Sequence, residues 1–130
     1  MKFTKIFASS VLSLFISSQV FAGSMVTFSG TSALSLMQAF GNVGMKHNRL
    51  DIPSLNCTMA VTAHPKANCV VFPSRGGRVI MDAQQSRMIM DVLGTHGGRV
   101  PSGLGVQRVS VRGLKCSAVS QNCSFHKLNY

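Results

Sequence analysis

The chain has 130 residues, with 13 lysines and arginines against 3 acidic residues, four cysteines, no tryptophan and one tyrosine, for a formal net charge of +10. At roughly 100 to 200 residues per domain, this length excludes a two-domain enzyme and leaves room for one small domain. The acids are Asp51, Asp82 and Asp91, with no glutamate at all. Chemistry built on several carboxylates is therefore poorly supplied.

Residues 1–22 read as a secretory leader. Lys2 and Lys5 form a basic start, Ile6 to Ile16 a mostly apolar segment broken by Ser9, Ser10 and Ser13, and Val20-Phe21-Ala22 a small-x-small cleavage site. The apolar segment falls short of the about 20 residues that a spanning helix needs, and no cysteine follows the cleavage site to carry a lipid. Cleavage after Ala22 leaves residues 23–130 as one α+β domain without a transmembrane segment. Removing Lys2 and Lys5 leaves 11 basic and 3 acidic side chains, a net +8.

Val26 and Phe28 alternate with polar neighbours as a short strand, and Gly30-Thr31-Ser32 opens a helix over Ser32 to Phe40. Ala33, Leu36, Met37 and Phe40 give that helix one apolar face. Gly41 and Gly44 end it, and a polar loop with His47 and Asn48 follows. Leu55, Cys57, Met59, Val61 and Ala63 alternate with Asn56, Thr58 and Thr62, the pattern of a half-buried strand, and Cys69 to Phe72 returns as its partner. Pro73 to Gly77 breaks the pattern.

The same order then recurs. Val79-Ile80-Met81 predicts a strand, Asp82 an N-cap, and Ala83 to Leu93 a helix that turns Ala83, Ile89, Val92 and Leu93 inward and stops at Gly94. Gly97 to Gly105 holds four glycines and Pro101, which excludes regular structure. Val109 and Val111 alternate into a strand reaching Cys116, and Cys123 to Phe125 completes a second hairpin. Leu55-Asn56-Cys57-Thr58 matches Leu114-Lys115-Cys116-Ser117. The expected fold is therefore two tandem β-α-β-β units, residues 23–73 and 74–130, packed together, each with its own hairpin disulfide.

An even cysteine count in an exported chain reads as disulfides formed in an oxidising compartment, here the periplasm or the exterior. Four cysteines allow three pairings. Cys57 and Cys69 bracket a turn-like His64-Pro65-Lys66, and Cys116 and Cys123 bracket Ser120-Gln121-Asn122, so the hairpins favour Cys57–Cys69 and Cys116–Cys123. A zinc site requires closer pairs than these gaps supply, and no metal or other cofactor is expected.

Asp82 is needed as a cap and Asp91 lies four residues after Arg87 as an ion pair, which leaves Asp51 alone where paired-carboxylate hydrolysis needs two groups. The histidines, His47, His64, His96 and His126, fall in or beside loops and hairpin ends, without the spacing of a metal-binding helix. His96 in the glycine-rich loop is the one candidate for catalysis. No catalytic residues are assigned. The string Gly-Gly-Arg-Val occurs at 76–79 and again at 97–100, where exposed amides beside an arginine could hold an anion, but two ordinary turns are the better explanation.

Charge is the strongest functional feature. Arg108, Ser110 and Arg112 share the strand face opposite Val109 and Val111, with Arg99, Lys115 and Lys127 near in sequence or in the next hairpin. With no tryptophan, one tyrosine at the terminus and Phe28, Phe40, Phe72 and Phe125 mostly at core-like positions, a base-stacking platform is poorly supplied, so sequence-specific nucleic-acid recognition is disfavoured. The expected function is a non-catalytic binding or inhibitory module that contacts an anionic protein or envelope polymer through Arg99, Arg108 and Arg112. Two rivals stand beside it: a small secreted hydrolase using His96 or His64 with Asp51, and a structural or assembly component of the cell envelope.

Overall fold

The computed structural model describes residues 24–128, so the proposed leader lies outside the described residues. The elements run β1 (Met25–Ser29), α1 (Thr31–Phe40), β2 (Met45–Lys46), β3 (Arg49–Ala60), β4 (Ala67–Phe72), β5 (Val79–Ile80), α2 (Ala83–Thr95), β6 (Val106–Ser117) and β7 (Asn122–Lys127). All seven strands join one sheet in the order β1-β7-β6-β3-β4-β5, with β2 beside β3, and every pairing is antiparallel. The fold is thus mostly antiparallel sheet with two helices.

This corrects the expectation of two tandem β-α-β-β units. β1 pairs with β7 and β5 with β4, so the strand opening each supposed unit completes the hairpin of the other. The long strands β3 and β6 pair along nearly their whole length, from Arg49↔Ser117 to Ala60↔Val106. Alternation of apolar residues fixes which face of a strand is buried; it carries no information about which strand lies next to it.

Both helices pack on one face of the sheet. Ala33, Leu36, Met37 and Phe40 of α1 meet Ile89, Met90 and Leu93 of α2 over Leu55, Val71, Val109, Val111 and Phe125 in one buried cluster. α2 turns Ser86 inward where Ala83 was expected, and Ala83 is exposed. The Cys69 amide donates to Ser86 Oγ at 2.9 Å, and the hydroxyl donates to the Met81 carbonyl at 3.4 Å, fastening α2 to β4. The Asp82 cap is complete: its carboxylate accepts from the Gln85 amide at 2.7 Å and the Gln85 side chain accepts from the Asp82 amide, a reciprocal capping box. Gly94 does not stop the helix, which runs on to Thr95 with His96 as its C-cap.

The bridges Cys57–Cys69 and Cys116–Cys123 each join residues directly opposite across a hairpin. Both lie on the helix-covered face, with all four cysteines buried. The thiols are thereby committed to bridges and supply neither zinc ligands nor a nucleophile.

At one point the alternation of β3 and β6 slips in concert. Ile52 and Leu55 are both buried, as are Val111 and Leu114, and between them Pro53 and Gly113 interrupt the two strands. Gly113 has φ of 60°, the left-handed region, and the β6–β7 register shifts between Arg112 and Lys115. This is a bulge of the kind that bends a sheet, and it divides the open face into two halves.

Candidate anion-binding face

The helices leave the opposite face of the sheet open, and the strand registers place its side chains in rows. One row runs Met25, His126, Arg112, Ser54 and Phe72 across β1, β7, β6, β3 and β4. The next places Ser110 beside Asn56, Val70 and Ile80, and a third Arg108 beside Thr58 and Asn68. Arg108 and Arg112 are exposed, and none of these cross-strand neighbours is acidic. Ser110, between them in sequence, is 4% exposed and donates from Oγ to Asn56 Oδ1, while its amide donates to the Gly98 carbonyl at 3.1 Å.

Arg99 is not part of this face. It forms an isolated bridge with Val109, whose side chain points into the core, so Arg99 shares the helix-covered side. Its stem lies against Gly94 near the end of α2: a Cβ added at Gly94 would stand 3.4 Å from Arg99 Cγ. Lys127 is also on that side, opposite Val111 and over Gly97. Lys115 stands on the open face, directly across from Asp51. The structure therefore brings Arg108 and Arg112 together and separates Arg99 from them. Sequence distance misled here, because Gly98 to Val100 runs back along the β6 edge as an extra strand-like segment, with the Val100 amide on the Arg108 carbonyl at 3.0 Å.

The two Gly-Gly-Arg-Val strings differ in the same way. The amides of Gly97 and Gly98 are spent on the carbonyls of Gly94 and Leu93, at 3.3 and 2.7 Å, and a Cβ at Gly98 would come within 2.9 Å of the Leu93 carbonyl oxygen. These glycines serve close packing and offer nothing to an anion. Around Gly76 and Gly77 the space is open.

Neither His96 nor His64 lines the clefts that Asp51 borders. His96 stacks on Phe28, ring centroids 4.3 Å apart and planes within 7°, which ties the end of α2 to β1. His64 lies exposed in the turn between β3 and β4. Asp51 instead borders a cleft with His47.

Compared with protein-family models, characterised proteins and solved structures, the chain matches none.

The remaining carboxylates stay on the helix side, Asp82 in its capping box and Asp91 paired with Arg87 at 3.7 Å, the one ion pair among the described residues. Among the described residues no group of three or more histidine, cysteine or acidic side chains has the spacing of a metal site. No helix of the described residues is long and apolar enough to cross a membrane.

One feature had no sequence signal beyond composition. The loop before β6 raises Leu104 to full exposure, and the loop is tied down on both sides. The Val61 amide donates to Gly105 O at 2.7 Å, the Val106 amide to Gly103 O at 3.3 Å, and Ser102 Oγ to Val106 O. With Val61 and Val106 also exposed, this end of the sheet presents an apolar tip beside Arg108.

Proposed function

We propose that the protein is an exported, non-catalytic binding or inhibitory module that holds an anionic protein or envelope polymer against its open sheet face. The observation that carries this reading is the pair Arg108 and Arg112, exposed on one strand face with uncharged or basic cross-strand neighbours. Cations so placed offer their charge outward and keep it uncompensated, which favours an acidic partner and speeds its encounter. The anchored Leu104 tip adds an apolar knob at the edge of that face, the combination of basic surface and pre-organised apolar anchor that a binding module uses. Two buried disulfides suit an oxidising compartment, and export agrees with the leader-like residues 1–22.

The test is capture of the anionic partner from an envelope extract by the oxidised protein, at low and high salt. Arg108→Glu with Arg112→Glu should lose the partner. Lys66→Glu with Arg99→Glu makes the same change in net charge away from the open face and should retain it. Binding to the parent protein should weaken steeply with salt, since exposed charges are screened over about 8–10 Å near physiological ionic strength. Equal losses in both variants would reduce the face to generic cationic surface and overturn the proposal.

A further inference from the structure

Below the bulge, the open face carries a second feature that Arg108 and Arg112 do not reach. The β2–β3 hairpin turns through His47 and Asn48, with φ of 51° and 63°, the backbone of a tight two-residue turn. That turn sets Lys46 directly opposite Arg49. Like charges placed across a strand pair repel and cost stability. Neither has a carboxylate within ion-pair distance among the described residues, where the sole pair is Arg87 with Asp91.

The loop between β4 and β5 brings a third cation to the same place. Ser74 and Arg75 line, with Lys46, His47 and Arg49, a cleft of about 610 Å³. A smaller cleft of about 310 Å³ adjoins it, shares Arg49 and Asp51, and adds Lys115. Asp51 is the only carboxylate in either, and its direct cross-strand neighbour is Lys115. Charge within this cleft therefore remains strongly positive, held by side chains from two separate loops.

We propose that this cleft is a binding site for a compact multivalent oxyanion of the diphosphate class, either free or as the phosphorylated headgroup of a lipid. The guanidinium forks of Arg49 and Arg75 match the paired oxygens of a phosphate, Lys46 supplies a point charge, and the Ser74 hydroxyl is a neutral donor. Cations arriving from two loops suit two linked charged groups better than one, and the cleft has room beyond a single tetrahedral anion. A bound oxyanion would also relieve the repulsion between Lys46 and Arg49. This site stands apart from the one proposed above, and either can fail without the other.

The experiment is calorimetric titration of the oxidised protein with inorganic pyrophosphate, against sulfate at matched ionic strength. Saturable binding of pyrophosphate is expected, tighter than that of sulfate. Replacing Lys46→Gln, Arg49→Gln and Arg75→Gln together should weaken it by about tenfold or more, as loss of charge-assisted hydrogen bonds implies. Lys66→Gln, Arg99→Gln and Lys127→Gln remove the same charge away from the open face and should leave affinity within about twofold, the residue of long-range screening. All six side chains are exposed, so neither variant should lower the melting temperature, and relief of the Lys46–Arg49 repulsion should hold or raise it in the first. A parallel arm uses vesicles containing diacylglycerol pyrophosphate: binding with the same variant dependence assigns the site to a lipid headgroup, and binding of pyrophosphate alone assigns it to a soluble ligand. Equal losses in the two triple variants, or pyrophosphate held no tighter than sulfate, would overturn the proposal.

Discussion

The two faces of the sheet are built from the same strands and obey different constraints. On the covered face every inward residue of β3, from Leu50 through Met59, is buried in the core, and no buried side-chain polar atom among the described residues lacks a partner. On the open face, alternate residues of those strands include Arg49, Arg108, Arg112 and Lys115, exposed and, among the described residues, without ion-pair partners. One face specifies the fold, so its residues are judged by volume and satisfaction. The other is free of packing demands, so its residues can be chosen for what they meet.

This contrast predicts a graded response to substitution. The largest losses belong to the junction between helices and sheet. Leu36→Ala or Ile89→Ala, each at a fully buried position, should lower stability by about 2–5 kcal/mol, read from chemical denaturation midpoints. Next come the bridges. Replacing Cys57 and Cys69 by alanine should cost about 3 kcal/mol, and the Cys116 and Cys123 pair slightly less because its loop is shorter, 7 residues against 12; thermal melts of the two double variants give the order.

Smaller still is the cap of α2. Asp82→Ala removes the acceptor for the Gln85 amide and should cost about 1 kcal/mol, while Asp82→Asn should recover most of it. At the bottom of the scale lies the open face. Arg108→Gln with Arg112→Gln should change stability by no more than about 0.5 kcal/mol, although binding to the anionic partner falls. A large loss of stability there would erase the contrast between the faces.

The parts of this fold that were legible in the sequence are those decided by neighbours a few residues away. The apolar stripe Ala33, Leu36, Met37 and Phe40 lies inward as its spacing predicts, and Asp82 caps α2 three residues before Gln85. The hairpins around Cys57–Cys69 and Cys116–Cys123 follow from strand alternation and turn residues alone. What escaped depends on partners distant in the chain. Leu50 and Ile52 were missed because the slip at Pro53 puts them out of phase with Leu55, Cys57 and Met59. His47-Asn48 carries no glycine to signal a tight turn, though both residues take its positive φ. The exchange of β1 and β5 between hairpins leaves no local trace.

The basic site was legible in half. Arg108 and Arg112 lie four residues apart on one strand, with Ser110 between them, and periodicity alone places them on one face. Arg99 is nine residues from Arg108 and lands on the other side of the sheet, because Gly97 and Gly98 allow the chain to pass close beneath α2. The gathering of Lys46, Arg49 and Arg75 needed the β3–β4 pairing to bring two loops to one end of the sheet.

The most direct test is a map of where an anion touches. Backbone amide shifts of the isotope-labelled, oxidised protein, followed while a polyglutamate chain is titrated in, report contact residue by residue. Shifts should concentrate in β6 and β3, at Arg108, Ser110, Arg112, Ser54, Asn56 and Thr58, and fade as salt is raised, with the exposed side of α2 unmoved. Shifts centred instead on Arg87 and Arg99, or spread evenly over every exposed cation, would contradict it.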